Sequence, residues 1–232
     1  MAAKLLIQQG HQVVLHARNQ KRAQEALEGV PNAEDILTGD LAIVEETKQL
    51  AADVNALGRF DAVIHNAGID RGSGKEIFAA NTLAPYILTC LMQKPQRLIY
   101  LGSDMHLHGR PSLNHLTSGK ANVSYSDSKF YVVLLTKAVA RKWPAVYANA
   151  VDPGWVPTKM GGPGAPDDLE KGFETQVWLA VSADDRAKVS GRYFHHKREA
   201  EHHPTADNIA LQDEFLSTSE QITGVRFPIN QK

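Results

Sequence analysis

A chain of 232 residues, 43% hydrophobic and 22% charged, is long enough to bury a full core. Its formal net charge of −1 gives no reason to expect nucleic acid or an anionic membrane surface as a partner. The single cysteine, Cys90, excludes an internal disulfide, and no apolar run approaches the roughly 20 residues of a membrane span. The opening stretch from Met1 to Gly10 is too short and too soon interrupted for a signal peptide, so a soluble, cytoplasmic protein is expected.

Ala2 to Gln9 reads as the end of a helix closed by Gly10. A strand over His11–His16 leads through Arg18 to a polar helix from about Gln20 to Glu28. Asp35–Thr38 is a short strand ending at Gly39-Asp40-Leu41. The next helix, from about Ile43 to Leu57, carries Val44, Thr47, Leu50, Ala51 and Val54 on one stripe. The strand Phe60–His65 breaks at Asn66-Ala67-Gly68, and a long helix then runs through Asn81 to Met92. The apolar run Arg97–Gly102 predicts a buried strand ending at Ser103, followed by a loop to about Ser124. A helix from about Tyr125 to Trp143 precedes a strand over Val146–Val151 that ends at Asp152-Pro153-Gly154. The Gly- and Pro-rich stretch Trp155–Asp168 and the His-rich stretch Arg192–Pro204 read as mobile loops. A helix from about Thr205 to Ser219 and a short strand near Val225–Phe227 finish the chain. Strands alternating with helices of this length imply a doubly wound, parallel α/β sheet with right-handed crossovers. There is no internal repeat and no low-complexity tract.

Four residues apart on one helix, Tyr125 and Lys129 share a face, about one turn from each other. An ammonium beside a phenol favours phenolate and lowers its pKa toward the range of a working acid/base. With Ser103 at a strand end, this pattern resembles the Ser-Tyr-Lys group of the short-chain dehydrogenase/reductase family. The resemblance covers nearly the whole chain, in the family's order. Asp40-Leu41 is similar to the pair beside the adenine ring, Asn66-Ala67-Gly68 to the family's Asn-Ala-Gly turn, and Asn81 to the helix asparagine of its proton relay. Pro153, Gly154 and Thr158 resemble the loop beside the nicotinamide. Gly191-Arg192-Tyr193-Phe194 and Ser219–Gly224 resemble the retinol-dehydrogenase-like branch.

The resemblance implies one Rossmann-type, NADP-binding domain over residues 1–232, with substrate loops near 104–122 and 155–204. It implies hydride exchange between a nicotinamide and a small or apolar carbonyl compound or its alcohol. Tyr125 would move the proton, Lys129 would bind the nicotinamide ribose and depress the Tyr125 pKa, and Ser103 would donate a hydrogen bond to the carbonyl oxygen. Arg18 stands at the strand end where an acid would bind a ribose 2′-hydroxyl, which favours NADP(H) over NAD(H). Family members often pair through the helix carrying the tyrosine, so a homo-oligomer is a further expectation.

The family opens with a strand and a Gly-rich turn, and this chain has neither ahead of His11. The expectation is therefore an N-terminally truncated fold, whose absent strand belongs at the centre, between Val13–Leu15 and Ala62–Ile64. Two apolar strands would keep unpaired edges, and the pyrophosphate would lose backbone donors at a helix N-terminus. Low stability and weak activity would follow, both rescued by an added strand and turn. The competing reading is a catalytically silent relative that binds a nucleotide or a protein.

Other patterns weigh less. Ser126-Asp127-Ser128-Lys129 lacks the companion motifs of penicillin-recognising enzymes. Gly72-Ser73-Gly74-Lys75 has Glu76 where a phosphate loop needs Ser or Thr. His195-His196 and His202-His203 have no carboxylate or cysteine pattern to complete a metal site and read as a solvated loop near the substrate entrance. Trp155, Trp178 and Phe173 could line an apolar pocket, with core packing equally open for the last two.

Overall fold

The computed structural model describes residues 1–117 and 122–228. Helix α1 (Ala2–Gln8) leads to strand β1 (Val14–Ala17), which starts later than expected and ends just before Arg18. The Asn19 side chain accepts the Arg22 N–H and starts α2 (Gln20–Gly29). Then follow β2 (Asp35–Thr38), α3 (Val44–Ala56) and β3 (Ala62–His65). Thr47, Leu50 and Ala51 of the expected α3 stripe are buried, whereas Val44 and Val54 are half-buried.

The long helix through Asn81 is three pieces: α4 (Gly74–Phe78), a π-helical turn (Ala79–Leu83) and α5 (Ala84–Leu91). Gly72–Lys75 finds its explanation here. Ser73 caps α4 by accepting the Glu76 N–H, and the Glu76 carboxylate accepts from the Ser73 N–H at 2.7 Å. Strand β4 (Arg97–Leu101) runs into a 3₁₀ turn (Asp104–His108). Residues 118–121 of the expected substrate loop lie outside the described residues.

Helix α6 (Tyr125–Lys142) opens with a reciprocal cap between Ser124 and Asp127 and ends on Arg141 and Lys142, charges that suit its dipole. Asp127 is buried; hydrogen bonds from Arg110 and Ser124 outweigh the burial and hold its carboxyl down at about 2. Strand β5 (Tyr147–Asp152), helix α7 (Lys171–Val181), the pair β6 (Tyr193–His195) and β7 (Arg198–Glu199), and α8 (Ile209–Thr223) complete the chain.

Strands β3, β4, β5 and β6 pair in parallel, and β7 returns antiparallel to β6. Strands β1 and β2 form a separate parallel pair. Among the described residues no strand stands between β1 and β3, so the sheet divides where the family pattern led us to expect an opening. Side chains hold the halves together instead. Leu50 and Ala51 of α3 pack with Leu88 of α5 and Met92. Helix α6 is the core helix, with Phe130, Tyr131, Leu134 and Leu135 fully buried, and Tyr131 stacks on Phe215 of α8.

Two expectations need correction. The stretch Arg192–Pro204 is not simply a loop: it contains the β6–β7 hairpin, turned by His196 and Lys197 at positive φ. Val225–Phe227 forms no strand; Val225 and Phe227 are buried against the core cluster instead, and the Val225 carbonyl accepts the Tyr86 hydroxyl at 2.7 Å. Helix α7 lay unread in the sequence; it covers β3, β4 and β5, and its Trp178 meets Phe194 edge-on at 5.6 Å.

His65, the last residue of β3, stacks on Tyr100 with ring centroids 4.8 Å apart, and its buried Nε2 has no partner. Burial holds its pKa down at about 3. The folded state therefore refuses a proton that the unfolded chain takes up, so stability is lost as pH falls below the unfolded value of about 6.5. His65→Phe keeps the stacking and removes that penalty. Between about pH 7.5 and pH 5 the variant should lose about 2 kcal/mol less stability than the parent, read from urea midpoints. Equal losses in both proteins would contradict this reading of His65.

Candidate active site

The C-terminal ends of β3, β4 and β5 set the site, the place where an open parallel sheet leaves backbone ends and side chains clear of the core. Ser103 leaves β4 in an extended conformation, and its Oγ accepts the Met105 N–H to start the 3₁₀ turn. That hydroxyl also donates to Asp104 Oδ1 at 3.1 Å. Tyr125 is the first residue of α6 and is half-buried, with the Ser103 hydroxyl as its hydrogen-bond neighbour.

Lys129, one turn on, is buried; its Nζ donates to the Leu101 carbonyl at 2.8 Å and lies 5.5 Å from the Tyr125 ring centroid. Asn81 sits in the π-helical turn, 2% exposed. Its amide clamps both backbone groups of Ile69, accepting the N–H and donating to the C=O at 2.8 Å each, and donates to Ser128 Oγ at 3.0 Å. A wider turn of this kind projects a side chain out of the regular helix ladder.

The structure thus brings Ser103, Tyr125, Lys129 and Asn81 to one edge. Gly68 belongs with them: a Cβ there would stand 3.3 Å from Asn81 Oδ1 and 3.5 Å from Lys129 Nζ. Asn66 and Ala67, just before it, are exposed, and the Asn66 N–H donates to the Ile64 carbonyl at 2.9 Å. Pro153 and Gly154 follow β5, and Gly154 takes φ of 77° while its N–H is held by Asp152 Oδ1. Thr158 is exposed and accepts the Gly161 N–H.

Arg18, Asp40 and Leu41 lie on the other half, at the C-terminal ends of β1 and β2. Arg18 is exposed, Asp40 turns its own loop by accepting the Ala42 N–H, and Leu41 packs half-buried against the cluster around Leu50 and Leu88. A 3.5 Å ion pair from Lys159 to Glu25 of α2 links the loop after Gly154 to this half.

The electrostatics differ from one expectation. Burial raises Tyr125 above its ordinary value, and Asp70, Asp152 and Asp104 add to the rise while only the Ser103 hydrogen bond opposes it. Lys129 is brought down to about 8 by burial, with Asp152 pulling the other way. In this arrangement the phenol is not held low by its neighbouring ammonium.

Several residues at this edge escaped the sequence reading. Asp152 ends β5, 91% buried, with burial raising its pKa, and His195 Nδ1 lies 3.5 Å from its Oδ2. The buried Tyr193 ring packs beside Gly102. Buried His106 accepts the His203 N–H through Nε2 at 3.1 Å, and its Nδ1 lies 2.6 Å from the Ser103 carbonyl. The His-rich segment is therefore fastened rather than solvated: His203 also meets Phe130 at 4.8 Å and His202 lies 2.9 Å from Asp207. Their signal was positional, since Asp104 adjoins Ser103 and Asp152 adjoins Pro153 at strand ends.

Comparison with known proteins identifies the family. A family model described as Enoyl-(Acyl carrier protein) reductase matches residues 1–189. An uncharacterized oxidoreductase, AN7799 of Emericella nidulans, is 45% identical over 98% of this chain and 93% of its own. The short-chain dehydrogenase chry4 of Gibberella zeae is 40% identical over the same shares. The NADPH-bound carbonyl reductase from chicken fatty liver superposes with a TM-score of 0.60 at 21% identity, covering 82% of this chain and 86% of that one. With a relative of 45% identity along nearly its whole length and a family match over most of it, the chain belongs to the short-chain dehydrogenase/reductase family of oxidoreductases.

Proposed function

We propose that this protein is an NADP(H)-dependent carbonyl reductase, converting an apolar aldehyde or ketone to its alcohol with Tyr125 as general acid. The observation that carries the reading is the convergence of Ser103, Tyr125, Lys129 and Asn81 on one edge of the sheet. Arg18, exposed at the end of β1, would hold the 2′-phosphate, with Asp40 and Leu41 beside the adenine. Asn66, Ala67 and Gly68 would offer backbone to the cofactor, Lys129 would bind the nicotinamide ribose, and Pro153, Gly154 and Thr158 would face the carboxamide. When bound, the nicotinamide supplies the hydride that reaches the carbonyl carbon.

Ser103 donates a hydrogen bond to the substrate oxygen and stabilises the negative charge that develops there. Tyr125, its phenol raised by burial, carries its proton at neutral pH and passes it to that oxygen. Lys129 places its positive charge beside the phenolate left behind. Asn81 holds the Gly68–Ile69 turn so that the cofactor and proton sides of the site keep their spacing. A phenol protonated at neutral pH favours the reductive direction.

Tyr125→Phe should lower kcat for reduction by about 10²–10⁴ with substrate KM little changed, and Ser103→Ala by about 10²–10³. Carbonyl reduction by Tyr125→Phe at the parent rate would remove the tyrosine from the chemistry. Arg18→Ala should raise KM for NADPH by about 10- to 100-fold and leave KM for NADH unchanged. Equal effects on both cofactors would mean that Arg18 does not read the 2′-phosphate.

A further inference from the structure

A short strap of chain joins the end of β4 to the first turn of α6. It leaves β4 at Ser103, runs through the 3₁₀ turn Asp104–His108 and reaches α6 at Gly109 and Arg110. Its near end is closed on itself: the Ser103 carbonyl accepts the His106 N–H and the His106 carbonyl accepts the Gly109 N–H, both at 3.0 Å. Its far end is fastened to Asp127. The Arg110 N–H donates to Asp127 Oδ1 at 2.8 Å, and the guanidinium spans both carboxylate oxygens, with Nε at 3.2 and 3.1 Å and Nη2 at 2.6 Å. The same Nη2 donates to the Asn122 carbonyl at 2.8 Å, so Arg110 also holds the residues that lead into α6.

Asp127 lies two residues beyond Tyr125 and is 1% exposed. A buried carboxylate met by a forked guanidinium is fixed in distance and in angle, whereas an ammonium in the same place acts as a point charge. Gly109 adds a steric register. A Cβ there would run into Phe130 Cβ and stand 2.8 Å from the Ser126 carbonyl oxygen, so the strap lies directly on the turn that carries Tyr125. Capping α6 needs none of this, since Ser124 and Asp127 already satisfy each other's backbone N–H groups.

We infer that Arg110 is a positioning residue for Tyr125: through Asp127, and with Gly109 seated on Phe130, it sets the spacing of the Tyr125 hydroxyl from Ser103 at the strap's other end. This deepens the carbonyl-reductase reading and rests on it for the reaction, though not for the geometry. The Arg110 side chain is 57% exposed and acts only through Asp127, whose carboxylate it locks from the surface.

The test reads the Tyr125 hydroxyl directly. The full chain is labelled with carbon-13 at the tyrosine Cζ, and the Tyr125 signal is assigned by its absence from Tyr125→Phe. Ser103→Ala moves that signal at neutral pH by removing the hydrogen-bond neighbour of the phenol. Arg110→Lys keeps the charge and loses the fork; Gly109→Ala keeps every charge and lifts the strap. Each should move the signal in the same direction, and neither should move it further in a Ser103→Ala chain. In each variant kcat for carbonyl reduction should fall about tenfold with KM for NADPH unchanged, since a misplacement of about 1 Å costs about a hundredfold. A Tyr125 signal left in place by Arg110→Lys, a shift that adds in full to that of Ser103→Ala, kcat at the parent value, or loss of the folded state in Arg110→Lys would overturn the inference. Arg110→Lys decides alone where Gly109→Ala does not fold. The expected shifts in a chain that reduces no carbonyl compound would support the positioning and reject the reductase reading instead.

Discussion

The buried ammonium of Lys129 reaches the Leu101 carbonyl at 2.8 Å, and that bond ties helix α6 to the end of strand β4. An ammonium taken out of water is costly unless something polar answers it, so the bond fixes the depth and rotation of the first turns of α6. Tyr125, one turn earlier, is carried to Ser103 by the same constraint. The N-terminal cap by Ser124 and Asp127, with Arg110 closing over the buried carboxylate at 2.6 Å, holds the same end of the helix from the loop side. Behind it the stack of Tyr131 on Phe215 leaves α6 little freedom to shift.

The half of the molecule that would hold the adenine and 2′-phosphate is joined differently. Strands β1 and β2 pair only with each other among the described residues, and contact with the larger sheet runs through α3 on α5 and through α1 on α7. Side-chain packing without a shared ladder lacks the directional hydrogen bonds that fix register. The edge at β3, β4 and β5, where the proposed chemistry would take place, is built from continuous parallel strands, and the β1–β2 half leans on helices.

Much of this was legible from residue patterns because the residues of the proposed site sit where periodicity changes. The apolar run ending at Ser103 and the cap ahead of Tyr125 each mark a strand or helix end, and both stand within a residue or two of their expected place. The opening between Val13–Leu15 and Ala62–Ile64 was readable as well, since the family order places a strand between these two and the residue pattern offers none for that place. Tertiary contacts hid the rest. Nothing local announces that Asn81 stands in a π-helical turn, that Asp152 meets His195 across neighbouring strands, or that Val225 and Phe227 are buried without forming a strand. The rise in the Tyr125 pKa was invisible for the same reason, because it sums burial with carboxylates from three separate segments.

The most direct test of the account is isotopic. NADPH carrying deuterium at the transferable C4 position is incubated with the protein and an apolar ketone, and the alcohol is examined by mass spectrometry and NMR. The account predicts one deuterium on the carbinol carbon, formed by the parent and lost in proportion to turnover in Tyr125→Phe. Alcohol formed without deuterium there, or labelled equally fast by the Tyr125→Phe variant, would contradict hydride transfer coupled to a proton from Tyr125.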